Sequence, residues 1–153
     1  MSQRSRDIAA LLLRLAAGLI FIPHGWSKIA GEGGAAAFAG DIAANYHIPA
    51  IFGHLAAWSE LAGGALLIVG LLTRLDAFLL AATMFVAAFI VQLPDALYEV
   101  PPGSIKLFVA LKGIELPLSL FAISLALLFL GGGRYSVDAL LPKRKAAAEA
   151  AAL

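Results

Sequence analysis

Cysteine is absent from the 153 residues of the chain. This absence excludes disulfides, thiolate nucleophiles, iron–sulfur clusters and thiolate zinc sites. The three histidines lie on different segments with no metal-binding spacing, so we predict no metal site. Any redox chemistry must come from a substrate or a dissociable cofactor, because we expect none to be covalently bound.

Charged residues are also scarce. They make up 14% of the chain, whereas hydrophobic residues make up 61%. Soluble domains have about 25% charged and about 45–50% apolar residues. The formal net charge of +1 leaves no basic surface that could neutralise a row of phosphates. The composition therefore argues against a soluble globular fold and against nucleic-acid binding, and it indicates a protein embedded in a lipid bilayer.

Four apolar runs are long enough to cross that bilayer as helices, and they lie at about 8–28, 51–72, 75–93 and 105–130. Helices satisfy their own backbone hydrogen bonds, as lipid requires. We therefore predict an all-α fold, with one four-span membrane domain built as a four-helix bundle with short loops. For the first run, a signal peptide cleaved among the alanines after Gly34 is the weaker alternative.

The distribution of basic residues predicts the orientation, because four spans place both termini on one side. Seven basic residues fall on that side, namely Arg4, Arg6, Arg74, Arg134, Lys143, Arg144 and Lys145. Three fall towards the other, namely Lys28, Lys106 and Lys112. The positive-inside rule then predicts cytoplasmic termini in a plasma (inner) membrane, with residues 142–153 as a basic, alanine-rich cytoplasmic tail.

A weak apolar stripe lies between the first two spans. Phe38, Ile42 and Tyr46 recur at every fourth residue, which is the spacing of one helical face. This spacing predicts an interfacial helix on the outer surface. An ordered surface loop is an equal alternative.

Three ionisable residues lie inside the spans, where each costs about 2.5–3.5 kcal/mol near the bilayer centre. At the helical rise, Arg14 lies about 9 Å past Ile8, and Glu60 and Glu115 lie about 13 and 15 Å along their spans. We therefore predict that the three meet at mid-depth. A purely structural pairing of Arg14 with Glu60, which only fixes helix register, is the alternative.

Further polar residues lie outward of that level and predict a pocket that opens towards the outer leaflet. His24, Lys28 and Lys112 would form its rim, and Trp58 and Gln92 would line its mouth. The alternatives are that His24 is satisfied by water and that both lysines reach solvent. The glycines that would let helices approach closely around the pocket are Gly18, Gly63 and Gly64.

These residues lie within longer motifs, which are Leu13-Arg14-Leu15 with Gly18, Pro23-His24-Gly25-Trp26-Ser27-Lys28, Glu60-Leu61-Ala62-Gly63-Gly64, Gly70-Leu71-Leu72-Thr73-Arg74 and Gly133-Arg134-Tyr135-Ser136-Val137-Asp138. From about Ile8 to Leu141 the chain resembles the DoxX family of small four-span membrane proteins. The resemblance implies a four-helix bundle from a family associated with quinone-linked sulfur oxidation and with membrane oxidoreductase assemblies. The polar positions that it implies are Arg14, His24, Lys28, Glu60 and Glu115.

The leading functional hypothesis is binding of a quinone-like molecule in the outer pocket. His24 or Lys28 would bind a carbonyl oxygen, and Glu60, Glu115 and His24 are the candidate catalytic residues for proton exchange. A partner oxidoreductase subunit would deliver the electrons. A non-catalytic membrane anchor or scaffold, and a small-solute or proton pathway, are the alternatives. Enzymatic activity of the chain itself and a homo-oligomeric state both stay open.

Overall fold

The computed structural model describes residues 2–98, 100–101 and 103–141. Its helices are α1 (Gln3–Ala30), α2 (Gly34–Tyr46), α3 (Ala50–Val69), α4 (Thr73–Tyr98) and α5 (Lys106–Leu130), followed by the 3₁₀ turn Val137–Leu140. Helices α1, α3, α4 and α5 are long and apolar enough to cross a membrane. The predicted all-α bundle with four spanning helices is thereby confirmed. The predicted tail at 142–153 lies outside the described residues.

Helix α2 forms where the apolar stripe predicts a helix rather than a loop. It begins after a turn at Gly33 and Gly34, whose φ angles of 73° and 64° suit glycine. Its buried residue Ala39 packs against Gly53 of α3, where a Cβ atom would stand 2.7 Å from Ala39 Cα. Glycine at position 53 therefore lets α2 lie directly against the first turns of α3.

At one end of the bundle, the tight turn between α3 and α4 packs against the segment that follows α5. Gly70, with a φ of 72°, ends α3, and its N–H donates to Leu66 O at 2.8 Å. The carboxylate of Asp138 accepts the N–H groups of Leu72 and Thr73 at 2.9 and 3.0 Å, which caps the start of α4. We call this end of the bundle the far end, and the opposite end the α2 end.

Helices α1 and α3 touch through glycine, as the sequence predicts. A Cβ atom on Gly18 would stand 2.6 Å from the carbonyl oxygen of Gly64, so the two backbones lie in direct contact. Closer to the α2 end, Gly25 lies against the backbone of Leu61. Gly63 differs, since its nearest neighbour is the Leu80 side chain at an ordinary distance of 3.4 Å. Helices α1 and α3 therefore touch at two places where a glycine lets the two backbones come into direct contact.

The core between the four long helices is small and apolar. Phe21 of α1, Leu67 of α3, Leu80 of α4 and Leu127 of α5 are fully buried in it. Many other large apolar side chains, such as Leu19 at 65% exposure, point outward from the bundle. An apolar outer surface of this extent is what a lipid-facing bundle requires.

Substitution of Gly18 by alanine tests the α1–α3 crossing. The added methyl group must push the Gly64 carbonyl away, so we expect Gly18→Ala to lower the free energy of unfolding by about 1–3 kcal/mol. Gly40→Ala is the matched control, because nothing lies within 4 Å of a Cβ atom there. It should leave stability unchanged or raise it by up to about 1 kcal/mol. Reversible unfolding in mixed micelles measures both variants, and equal stabilities would contradict the crossing.

Candidate functional site

A π-helical turn interrupts α3 at Ser59–Gly63 and carries Glu60. Such turns are rare and occur frequently at functional sites, because the extra residue redirects the side chains on that turn. The Ser59 hydroxyl lies 3.3 Å from the Thr83 hydroxyl of α4, so the turn is also hydrogen-bonded to a second helix. The second π-helical turn, Ala87–Gln92 in α4, carries Gln92.

Lys28 and Glu60 form a partly buried ion pair. The Lys28 ammonium donates to Glu60 Oε1. The Glu60 side chain is 1% exposed and that of Lys28 is 24% exposed. The ring of Phe38 from α2 lies 4.9 Å from Lys28 Nζ, a cation–π distance. Three helices therefore surround one charge pair.

The second carboxylate oxygen of Glu60 has no partner. Oε2 is buried and accepts no hydrogen bond from the described residues. An unsatisfied buried polar atom costs about 1–3 kcal/mol, and more when it is charged. A hydroxyl group or a proton placed at Oε2 would remove that cost. The ion pair therefore leaves one buried oxygen of Glu60 without a hydrogen bond from the described residues.

A depression of about 230 Å³ opens beside Lys28. Its walls come from the end of α1, the turn after it and the inner face of α2. The lining residues are Ser27, Lys28, Gly31, Glu32, Gly34, Ala37, Phe38 and Asp41. It combines an aromatic ring, small apolar groups and charged side chains, a mixture that suits a small polar headgroup with an apolar body.

Helix α2 is tied down at its other end. The Tyr46 hydroxyl donates a 2.6 Å hydrogen bond to Asp95 Oδ2 of α4. That hydrogen bond, with some burial, raises the pKa of Tyr46 above its usual 10.0. Because the raised pKa favours the protonated phenol, the contact persists through neutral pH and is lost only as pH rises past that raised value. Helix α2 is therefore held over the ion pair under ordinary conditions.

The predicted meeting of Arg14 with Glu60 and Glu115 is wrong. The Arg14 guanidinium, 1% exposed, donates to the carbonyl oxygens of Gly132 at 2.7 Å and Tyr135 at 2.8 Å. These carbonyls belong to the far end of the bundle. A helical side chain leans towards the N-terminus of its own helix, which is the direction of the far end for Arg14. Arg14 therefore reaches out of the span along its own helix.

Glu60 lies at a different depth because of α2. Gly25 of α1 touches the chain at Leu61, so Glu60 is level with the last turns of α1. Arg14 lies eleven residues earlier on α1, about 16 Å away along the helix axis. The predicted depth of Glu60 assumes that α3 enters the bilayer near Ile51. The first turns of α3 instead pack against α2, which displaces Glu60 towards the α2 end.

Glu115 and Lys112 lie on the outside of α5 and do not face the site. The buried positions of α5 include Ala110, Ile114 and Pro117, and Glu115 is one residue, about 100°, round the helix from Ile114. Both charged side chains are exposed. Their prediction as pocket residues is wrong for this chain taken alone.

The remaining predicted residues lie near the α2 end. His24 is exposed one turn before Lys28, Trp58 is 53% exposed two residues before Glu60, and Gln92 is half-buried. None of their side chains is hydrogen-bonded to the ion pair. Only Lys28 and Glu60 of the predicted set are joined directly.

Two residues of α2 that line the depression, Phe38 and Asp41, were not among the predicted site residues. Phe38 shows a signal in the sequence, since it begins the stripe that predicts α2. Asp41 lies off that stripe, and nothing in the sequence distinguishes it from other surface carboxylates. Both line the depression because α2 folds back over the end of α1.

The matches to known proteins cover the part of the chain that builds this site. The DoxX family model matches residues 9–93, which include Lys28 and Glu60. A protein of Bacillus subtilis (strain 168), described as "Putative oxidoreductase CatD", is 39% identical over 90 residues. The aligned region covers 59% of this chain and 64% of that protein, less than two thirds of its length. No solved structure matches the chain.

Double-mutant cycles test which charges interact. Because Lys28 and Glu60 are bonded, the effects of Lys28→Gln and Glu60→Gln on the free energy of unfolding should be coupled by about 1–3 kcal/mol. Arg14→Gln and Glu60→Gln should add within about 0.5 kcal/mol, since the two sites are far apart. Unfolding in mixed micelles measures both cycles. Strong coupling between Arg14 and Glu60 would restore the mid-depth cluster.

Proposed function

The chain belongs to the DoxX family, and we propose that it is a membrane component of a redox system that binds the polar head of a quinone-like molecule beside Lys28 and Glu60. The observation that carries this proposal is the partly buried ion pair whose free oxygen, Glu60 Oε2, has no partner. The adjoining depression is lined by Lys28 and Phe38, so a headgroup bound there would contact the Lys28 side of the pair.

The donor and acceptor groups of the site fit such a headgroup. A quinone presents carbonyl oxygens, which accept hydrogen bonds, and the ammonium of Lys28 has three donors. A quinol presents hydroxyl groups, which can donate to the unpaired Glu60 Oε2. The ring of Phe38 offers an apolar wall. The depression is smaller than the about 300–1,000 Å³ of pockets for drug-sized ligands, so only the head enters and an isoprenoid tail stays in lipid.

Interconversion of quinone and quinol transfers two electrons and two protons. In the proposal Glu60 exchanges a proton with the bound head, and Lys28 stabilises the carboxylate that results. Glu32 and Asp41 are exposed on the depression's rim, so they can pass protons between the site and water. Electrons come from a partner oxidoreductase. The Bacillus subtilis relative is described as a putative oxidoreductase, which supports this association.

Short-chain quinones test the site. Trp26 and Trp58 stand two residues before Lys28 and Glu60, so a bound quinone should quench their fluorescence. A hydrogen bond to a charged group contributes about 1.5–3 kcal/mol, which is about 10- to 100-fold in affinity. We expect Lys28→Gln to weaken decylubiquinone by that factor and Glu60→Gln to weaken its quinol more than its quinone.

Lys106→Gln is the control for this titration, because Lys106 is an exposed lysine at the start of α5. It should bind both forms as the wild type does. Each variant must elute as a monodisperse species with unchanged helicity before it is titrated. Equal affinities in all four proteins, or no saturable quenching in the wild type, would remove the proposal.

The proposed orientation places the α2 end outside. Four arginines lie at the far end, namely Arg4, Arg6, Arg74 and Arg134, and positive charge favours the cytoplasmic side. Since the chain contains no cysteine, single cysteines report their own side. A membrane-impermeant maleimide should label Gly40→Cys, and spare Ser5→Cys, in right-side-out vesicles. The reverse labelling pattern would invert the proposed topology.

A further inference from the structure

One face of α5 turns a row of polar and small residues, with a phenylalanine at each end, away from the bundle. Members of this row follow each other at alternating spacings of four and three residues, which is the pattern of a helix-packing seam. They are Phe108, Lys112, Glu115, Ser119, Ala122, Ala126 and Phe129. All are exposed except Ala126, which is half-buried. We call this row the α5 seam.

The charged members of the α5 seam lie inside a helix that is long and apolar enough to span the bilayer. Lys112 and Glu115 are six and nine residues into α5, about 9 and 13 Å along a helix that is itself about 37 Å long. Among the described residues, neither side chain forms an ion pair or a hydrogen bond. Ionisable side chains at this depth almost always face a protein interior or a partner. The isolated chain instead leaves both of them exposed on the outside of the bundle.

The two charges complement each other across a twofold axis. Copies of one protein insert with the same orientation, so two α5 helices that meet must run parallel at the same depth. Lys112 of one copy then lies one turn, about 4.5 Å along the axis, from Glu115 of the partner subunit. The symmetry forms this pair twice and neutralises all four charges. Any other partner protein would need an acidic and a basic side chain at the same two depths. A second copy of this chain carries both.

The rest of the α5 seam permits close contact. Ser119, Ala122 and Ala126 occupy the next two turns, and small side chains allow spanning helices to approach within packing distance. The Ser119 hydroxyl already donates to the Glu115 carbonyl oxygen at 2.6 Å, so it brings no unsatisfied donor into an interface. We propose that the protein forms a parallel twofold dimer through the α5 seam, held by reciprocal Lys112–Glu115 ion pairs.

Disulfide cross-linking in native membranes tests the contact, because the wild type has no cysteine. Ser119→Cys and Ala122→Cys lie near the proposed axis, so each should form a covalent dimer under mild oxidation. Leu19→Cys is the control, since Leu19 is an equally lipid-exposed residue on α1. It should stay monomeric. Failure of both seam variants to cross-link, or equal cross-linking by Leu19→Cys, would overturn the proposal.

Charge reversal tests the ion pairs in the Ser119→Cys background. Lys112→Glu alone and Glu115→Lys alone place like charges opposite each other, so the dimer fraction should fall at least tenfold. The double variant Lys112→Glu/Glu115→Lys restores opposite charges and should regain the dimer. A single reversal that still dimerises, or a double variant that stays monomeric, would contradict reciprocal pairing.

Co-expression of the two single variants separates misfolding from lost pairing. A chain with Lys112→Glu carries two carboxylates, and a chain with Glu115→Lys carries two ammonium groups. With different affinity tags, the two should form a mixed cross-linked dimer although neither dimerises alone. Absence of the mixed dimer when both variants are monodisperse and helical would exclude the proposed interface. A heterologous partner or a lipid would produce that result.

Discussion

A carboxylate buried among apolar helices needs a counter-charge or a proton, and for Glu60 the counter-charge is Lys28. This requirement involves three parts of the chain. Gly25 lets α1 touch the π-helical turn, so that the end of α1 reaches Glu60. Helix α2 then places Phe38 beside the ammonium. Lys28 bonds to one carboxylate oxygen of Glu60, and the other oxygen accepts no hydrogen bond from the described residues.

The spans and the two residues of the ion pair could be predicted from the sequence, whereas for α2 the sequence left a helix and a surface loop equally open. Each of the successful predictions depends on a local property, such as a long apolar run or the cost of a charge in lipid. The pairing could not be predicted in this way. It depends on the depth of α3 relative to α1, and the two helices touch where Gly18 meets Gly64 and where Gly25 meets Leu61.

Arg14 is also a charge buried among apolar helices, but its hydrogen bonds go to backbone carbonyls and not to a counter-charge. Its bonds go to the carbonyl oxygens of Gly132 and Tyr135, at the end where Gly131 and Gly133 have φ angles of 70°. These angles end α5 and direct backbone acceptors towards α1. A glycine run predicts the end of a helix, but the direction of its carbonyls has no sequence signature. The sequence therefore predicts an acidic partner for Arg14, whereas the two terminal nitrogens of its guanidinium donate to backbone carbonyls.

Arg14 and Glu60 are hydrogen-bonded within one chain, whereas the Lys112 and Glu115 side chains on the α5 seam are exposed. Helix α5 packs mainly on α4 and α1, whereas the ion pair and the depression are built from α1, α2 and α3. A twofold axis along the α5 seam would therefore leave the depression open in both copies. The exposed charges of α5 can thus serve dimer formation while the unpaired oxygen of Glu60 serves ligand binding, since a dimer contact at α5 does not cover the depression.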